Sequence, residues 1–187
     1  MIKTRLLLSA VLAFAATATA TASQAAVTVI GGGMAQECSK AALSGATEFK
    51  YEAVCTMALD SELLSLRDRA GTYVNRGVLK LRRKEFASAE FDFNRAIQAK
   101  PDLGEAYINR GASSVGARRF AEGLTDLNKA IELGVDELEK AYYNRALAYE
   151  GLDNVKAAYL DYQKAIELKP DWEQPKKELA RFTVGRR

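Results

Sequence analysis

One pattern recurs three times along this chain, at intervals of 34 and 35 residues, and it limits the possible folds more than any other feature. Each copy has a Tyr, then an apolar or aromatic residue, then Asn, Arg and a small residue. The copies are Tyr73–Gly77, Tyr107–Gly111 and Tyr142–Ala146. A repeat of this length is typical of stacked units that bury their apolar faces against one another.

A second pattern follows each copy. Its small, apolar or aromatic residues are spaced four, three and one positions apart, which places them on one face of an α-helix. The three sets are Ala89, Phe93, Ala96 and Ile97; Gly123, Leu127, Ala130 and Ile131; and Ala158, Tyr162, Ala165 and Ile166. A polar pair lies between the two patterns, at Arg83-Lys84, Arg118-Arg119 and Asp153-Asn154. Each unit is therefore predicted to be a helix, a short turn and a second helix.

An Asp precedes the next helix at three equivalent places, and a Glu or Gln follows it three residues later. The pairs are Asp102 with Glu105, Asp136 with Glu139, and Asp171 with Gln174. An Asp at an N-cap accepts a hydrogen bond from an early backbone N–H, and the residue at N3 can reach back to the cap. We therefore predict that these Asp residues cap the helices that follow them.

These features resemble the tetratricopeptide repeat family over about residues 70–172. Small residues stand where the two helices of a unit would cross, and a Pro ends the first and third units, at Pro101 and Pro170. The crossing pairs are Gly77 with Ala89, Gly111 with Gly123, and Ala146 with Ala158. The resemblance implies an all-α, right-handed α-solenoid with units at residues 70–103, 104–138 and 139–172.

A solenoid needs covers at both ends, because its terminal units have no outer neighbour. Residues 36–69 are predicted to form an N-terminal helical cover that carries Cys38 and Cys55. Residues 173–187 are predicted to form a C-terminal capping helix with a basic tail. Residues 26–35, which end in Gly31-Gly32-Gly33, are expected to be a flexible tail.

The N-terminus has the pattern of a secretory signal peptide at residues 1–25. Lys3 and Arg5 precede an apolar run at residues 6–16, and small residues then offer cleavage after Ala22 or Ala25. We expect export, and in a bacterium with two membranes a periplasmic protein. An uncleaved membrane anchor is the alternative, and no later segment is apolar for long enough to cross a membrane.

Export affects how the two cysteines are interpreted. A compartment that permits disulfides favours a single bridge between Cys38 and Cys55, which lie 17 positions apart. A redox-active pair is the alternative, although catalytic dithiols usually have only two residues between the cysteines.

Composition excludes several classes of chemistry. The chain has 187 residues and no His, which rules out Ser-His-Asp, Cys-His and His-based zinc sites. The formal net charge is +3, and two of the positive charges lie in the predicted signal peptide. We therefore expect no nucleic-acid partner, and we predict neither a metal nor a cofactor.

The resemblance places the first helix of each unit along a concave groove. The expected groove residues are Val74, Asn75, Val78 and Arg82; Ile108, Asn109, Ala112 and Val115; and Lys140, Tyr143, Asn144 and Leu147. Asn pairs with both backbone donors and acceptors, so this surface suits an extended peptide or a partner helix. The groove could instead be covered by the chain's own N-terminal segment or by a second subunit.

Some family members bind a C-terminal carboxylate through a Lys and an Asn in the first unit, an Asn in the second, and a Lys and an Arg in the third. By register Asn109 and Lys140 match that set, whereas Val74, Val78 and Asn144 do not. We do not expect this clamp here.

The repeated Arg residues each precede an Asp by 16 positions. The pairs are Arg76 with Asp92, Arg110 with Asp126, and Arg145 with Asp161. Within a helical hairpin this separation can place the two side chains opposite each other as a bidentate ion pair. A ladder of Arg residues that binds an anionic ligand is the alternative.

The sequence therefore predicts a non-catalytic protein-interaction module or scaffold of the bacterial envelope. A thiol-redox factor or other envelope enzyme is a second hypothesis, supported by Cys38, Cys55 and the unpaired acids Glu48 and Glu52. A self-associating structural protein is a third.

Overall fold

The structure is a computed structural model, and it describes residues 7–9, 21–30 and 33–185. Its helices are α1 Met34–Leu43, α2 Phe49–Ser61, α3 Leu66–Arg82, α4 Phe86–Ala99, α5 Gly104–Gly116, α6 Phe120–Leu133, α7 Leu138–Gly151, α8 Val155–Leu168 and α9 Glu173–Leu179. Two short strands, β1 Leu7–Ser9 and β2 Thr183–Gly185, pair in antiparallel fashion with Leu8 opposite Val184. Most of the predicted signal peptide, residues 1–6 and 10–20, lies outside the described residues.

Three helical hairpins, α3–α4, α5–α6 and α7–α8, stack in sequence order and form the body of the molecule. Small residues allow the two helices of a hairpin to cross closely. A Cβ placed on Gly77 would lie 2.4 Å from the Phe93 ring, and one on Gly111 would lie 2.7 Å from Leu127 Cγ. In the third hairpin Ala146 is fully buried and occupies the equivalent crossing position. The predicted all-α solenoid is confirmed.

The turn inside each hairpin has a left-handed residue that is not glycine. Lys84, Arg118 and Asp153 have φ angles of 62°, 63° and 57°. In the first turn Glu85 N–H donates to the Lys80 carbonyl at 3.1 Å, which closes the six-residue loop typical of a helix C-terminus. The same bond recurs in the other two turns, so a shared backbone geometry replaces the glycine usual at this place.

The predicted Asp caps are wrong. The N-cap residues of α5, α7 and α9 are Leu103, Glu137 and Trp172, one position after the Asp, and none of them makes a side-chain cap hydrogen bond. Leu103 is 8% exposed and belongs to the core between the first two hairpins. Burial of Leu103 therefore sets where α5 begins, and the Asp102 carboxylate pairs with Lys100 instead.

The N-terminal cover is a hairpin of α1 and α2, and a disulfide joins Cys38 to Cys55 as predicted. Both cysteines are fully buried and pack with Leu79 of α3. The Arg82 guanidinium donates to the carbonyls of Ala42 and Ala46, which fixes the end of this hairpin to α3. The disulfide thus holds a cover that lies directly against the first repeat.

The C-terminal helix covers the aromatic end of the third hairpin. The Trp172 ring lies 4.8 Å from the Tyr143 ring, and Phe182 meets Tyr162 edge-on at 6.0 Å between centroids. The helix ends at Leu179, so the predicted capping segment of residues 173–187 contains seven helical residues followed by β2.

The described residues of the expected flexible tail, 26–30 and 33–35, are ordered against the rest of the chain, and Gly31 and Gly32 lie outside the described residues. Residues 21–30, the N-terminal strap, run in extended conformation along the first helices of the three hairpins, and α1 begins at Met34. Ala25, Val27 and Val29 are at most 8% exposed. Burial of these side chains, together with the backbone hydrogen bonds described below, holds the strap in place.

Candidate functional site

The asparagine row consists of Asn75, Asn109 and Asn144, which occupy equivalent positions on α3, α5 and α7. All three side chains are fully buried. A buried primary amide needs partners for both its N–H groups and its oxygen, because an unsatisfied polar group costs about 1–3 kcal/mol. Each of the three Asn side chains in the groove therefore needs hydrogen-bond partners for its N–H groups and its oxygen.

The N-terminal strap meets this requirement with its backbone. Asn75 Oδ1 accepts from Val27 N–H at 2.8 Å, and Asn75 Nδ2 donates to the Val27 carbonyl at 2.8 Å. Asn109 bonds Ala25 in the same way, at 2.9 Å and 2.6 Å. Asn144 bonds Ser23 at 2.7 Å in both directions.

Strand geometry explains why alternate residues are bound. In an extended chain the N–H and C=O of one residue point to the same edge, and the next residue points to the opposite edge. Ser23, Ala25 and Val27 therefore present the same edge to three successive repeats. The strap runs against the order of the repeats, with its earliest residues at the third hairpin.

A fourth contact continues this pattern onto the N-terminal cover. Ser39 Oγ of α1 donates to the Val27 carbonyl at 2.9 Å and accepts from Val29 N–H at 3.2 Å. Ser39 is 2% exposed. The disulfide between Cys38 and Cys55 joins α1 to α2, so it holds in place the helix that carries Ser39.

The inward side chains of the strap enter the repeat core. Ala25 is fully buried in a cluster with Ile108, Ala130 and Ala141. Val27 joins the cluster of the first hairpin, and a Cβ placed on Gly71 would lie 2.9 Å from its Cγ1. Thr28 and Ile30 point outward and are exposed. The groove is therefore filled along this length by the chain's own residues.

The structure places the predicted groove residues in different surroundings. Val74 and Val78 pack in the same core cluster as Val27, as does Ala112, and Ile108 packs with Ala25. Val115 and Leu147 lie in the core of the third hairpin. The structure does not bring Arg82 or Lys140 to the strap, because Arg82 bonds the N-terminal cover and Lys140 pairs with Glu137.

Tyr143 lies at the early end of the strap. It lines a cavity of about 160 Å³ together with Trp172, Gln174 and strap residues 21–24. Burial raises the pKa of the Tyr143 phenol above its ordinary value. This cavity lies between the early end of the strap and the third hairpin.

The repeated Arg residues lie on the other side of the first helices and bind their Asp partners in bidentate fashion. Arg110 Nε and Nη2 donate to Asp126 at 2.8 Å and 2.6 Å. The first and third hairpins repeat this arrangement with Arg76 to Asp92 and Arg145 to Asp161. The hydrogen bond with Asp126 raises the pKa of the Arg110 guanidinium.

Two of these guanidinium groups, those of Arg110 and Arg145, also join neighbouring repeats, which the sequence pattern did not predict. Arg110 Nη1 donates to Asn94 at 2.6 Å, and Arg145 Nη1 donates to Asn128 at 2.7 Å. Asn94 and Asn128 stand two residues after the partner Asp of the preceding hairpin, so their 34-residue spacing was the available signal. Because these N–H groups donate to Asp and Asn side chains of the same chain, the arrangement favours internal ion pairs over the binding of an anionic ligand.

Three of the residues on which the enzyme hypothesis rests, Cys38, Cys55 and Glu52, have partners within the chain. Cys38 and Cys55 are bonded to each other and fully buried. Glu52, expected to be unpaired, forms ion pairs with Arg83 and Lys80. In the described ranges no group of three or more Cys, Asp or Glu residues is placed to hold a metal ion, and no helix there is long and apolar enough to cross a membrane.

Comparison with known proteins identifies the architecture. The tetratricopeptide repeat family model matches residues 139–171, the third hairpin. The search against curated proteins gives no match. The Arabidopsis OM64 TPR domain is 24% identical, with a TM-score of 0.59, and the match covers 63% of this chain and 96% of that one.

Two further structures widen the comparison. The second TPR domain of human RPAP3, solved in complex with the HSP70 peptide SGPTIEEVD, is 22% identical with a TM-score of 0.57, over 62% of this chain and 96% of that one. MamA 41-end from Desulfovibrio magneticus RS-1 is 17% identical with a TM-score of 0.62, over 79% of this chain and 82% of that one. Residues 139–171 thus match the tetratricopeptide repeat, and the chain has the fold of tetratricopeptide-repeat domains.

Proposed function

We propose that the chain is a non-catalytic protein-interaction module whose concave groove binds an extended polypeptide by its backbone. The observation that carries this proposal is the asparagine row, which bonds both backbone groups of Ser23, Ala25 and Val27. Those bonds involve no side chain of the strap. A second polypeptide in extended conformation can therefore make the same bonds once the strap leaves.

The structural neighbours support a peptide-binding role. The first TPR of Spaghetti (RPAP3) was solved bound to the HSP90 peptide SRMEEVD. The second TPR domain of human RPAP3 was solved in complex with the HSP70 peptide SGPTIEEVD. Those peptides end in acidic residues and a carboxylate. The groove described here presents neutral Asn side chains to its occupant, so we propose the same general role with a different ligand.

Site-specific photo-crosslinking tests the proposal. A photoreactive residue replaces Gln174, which is exposed at the cavity beside the early end of the strap. We expect a crosslinked second polypeptide in cells of the native host, and we expect its loss when Asn144→Leu is added. The same photoreactive residue at Lys129, on the exposed side of α6, is the matched control and should give no such product. Crosslinks from Gln174 to residues 21–24 alone would contradict the proposal.

We further propose that the chain is exported and that it acts in the periplasm of a bacterium with two membranes. The support is the signal-like sequence before the strap, with cleavage after Ala22 rather than Ala25. A cut after Ala22 keeps the backbone of Ser23 and Ala25 for the asparagine row. A cut after Ala25 would leave the buried Asn109 and Asn144 without these partners.

Intact mass of the protein from the native host tests this assignment. A chain that begins at Ser23 is expected. A chain that begins at Ala26 would overturn the cleavage position, and an uncleaved chain would overturn removal of the signal.

A further inference from the structure

We propose that the partner polypeptide has small or β-branched residues at alternate positions, and that it competes with the N-terminal strap for the groove. This inference rests on the proposed function and specifies its ligand. The three buried positions of the strap, Ala25, Val27 and Val29, define the pattern.

The backbone contacts set the first requirement. The asparagine row needs a free N–H and C=O on every second residue of the occupant. A helix uses these groups internally, so the groove suits an extended segment rather than a partner helix. A Pro at an inward position removes the N–H that the row accepts.

The side-chain sites set the second requirement. Ala25 is fully buried against Ile108, Ala130 and Ala141, which leaves no space for a larger side chain without movement of α5 to α7. Val27 already contacts Gly71 closely. These two positions therefore admit Ala and Val and exclude long or charged residues.

The third inward site lies at the N-terminal cover. Val29 is 5% exposed and packs with Ala35 and Ala58, and its N–H bonds Ser39. Thr28 and Ile30 face outward, so the occupant can vary there. Among the described residues, the side chains that bond the strap are Asn and Ser, and both are neutral.

The covalent link between the strap and α1 determines how strongly the strap competes with a free peptide. The strap is joined to α1 through Gly31-Gly32-Gly33 and is present once per groove. A short covalent connection between a segment and its binding site gives an effective concentration on the order of 1 mM. A free peptide with the same contacts must therefore approach millimolar concentration to displace it, and release of the strap should tighten binding at least tenfold.

The test compares three chains that begin at Ser23: the wild type, Ala25→Pro and Thr28→Pro. Ala25→Pro removes the N–H that Asn109 accepts and should release the strap. Thr28→Pro is the matched control, because Thr28 is exposed and its N–H makes no described bond to the groove. Circular dichroism verifies folding, and Val27→Pro replaces Ala25→Pro if the latter does not fold.

The probes are three labelled peptides, and binding is measured by fluorescence anisotropy. The first has the sequence of residues 23–30. The second is identical except for Ala25→Glu and Val27→Glu, and the third is SGPTIEEVD. We expect the first peptide to bind the Ala25→Pro chain at least tenfold more tightly than the other two chains, and we expect the second and third to bind no chain.

Any other outcome contradicts the residue pattern, the competition with the strap, the identity of the occupant or the proposed function. If the Ala25→Pro chain binds all three peptides equally, the residue pattern is wrong and the proposed function stands. If it binds none while folded, both fail. Equal binding of the first peptide by wild type and Ala25→Pro overturns the competition. An Ala25→Pro dimer in light scattering that excess first peptide dissociates assigns the groove to a second copy and overturns the partner.

Discussion

Replacement of Asn109 by Ala should detach the N-terminal strap without unfolding the repeats. Asn109 is fully buried, accepts from Ala25 N–H at 2.9 Å and donates to the Ala25 carbonyl at 2.6 Å. The substitution leaves both backbone groups of Ala25 buried without partners. Each such group costs about 1–3 kcal/mol, so the bound strap should lose about 2–6 kcal/mol relative to a strap exposed to water.

Hydrogen exchange of the strap amides measures this loss directly. A loss of about 2 kcal/mol corresponds to roughly thirtyfold faster exchange at Ala25 and Val27, because about 1.4 kcal/mol is tenfold in an equilibrium constant. The core amides of α5 and α6 should keep most of their protection, since the asparagine side chain faces the strap.

The matched control for this experiment is Asn128→Ala. Asn128 is exposed and accepts from Arg145 Nη1 at 2.7 Å, so its loss removes a hydrogen bond away from the strap. Exchange of the strap amides should stay at the wild-type rate. Exchange in Asn109→Ala within threefold of wild type would refute the reasoning, because it would mean that side-chain burial alone holds the strap.

Three further changes test the packing of the body. Gly111→Leu should lower stability by about 1–3 kcal/mol or more in thermal melts, because a Cβ at this position would lie 2.7 Å from Leu127 Cγ; an unchanged melt would contradict the crossing geometry. Tyr162→Phe should raise stability by about 1–3 kcal/mol, because in the described part of the chain the buried hydroxyl has no hydrogen-bond partner. Burial also raises the pKa of Tyr162, so the wild type should lose stability as pH rises above 10, where an unfolded Tyr ionises, and the Phe variant should lose less in denaturant titrations across that range. Reduction of the Cys38–Cys55 disulfide should cost about 3 kcal/mol of unfolding free energy in urea titration; an unchanged midpoint would remove its stabilising role.

The helical hairpins could be predicted because their signal is repeated three times. Gly77 and Gly111 recur at the crossings, and a Cβ at either position would clash with the second helix. The position of Arg110 relative to Asp126 likewise predicts a contact across one hairpin, which the structure places at 2.6 Å. Repetition removes the ambiguity that a single local pattern would leave.

The helix starts could not be predicted in the same way. The Asp and Glu pattern at Asp102 and Glu105 is repeated as faithfully as the crossings, and yet α5 begins at Gly104. A cap hydrogen bond contributes about 1 kcal/mol, whereas full burial of a Leu side chain contributes about 1.5–3 kcal/mol. Burial of Leu103 therefore outweighs the cap, and local capping rules mislead where the start of a helix lies inside the core.

Cover of the groove by the chain's own N-terminal segment was predicted only as an alternative, because the small residues of the strap fit two different roles. Ser23 and Ala25 have the small side chains that a signal cleavage site requires, and the groove needs a small residue at Ala25 for a separate reason, namely the closely packed Ile108. Its hydrogen bonds come from backbone groups that every residue except Pro has, so the strap's own sequence cannot mark it as a ligand. The asparagine row is the feature that indicates such a ligand. Its three equivalent amides lie on one face and require backbone partners on every second residue of an extended segment. Residues 21–30 of the same chain provide partners at that spacing.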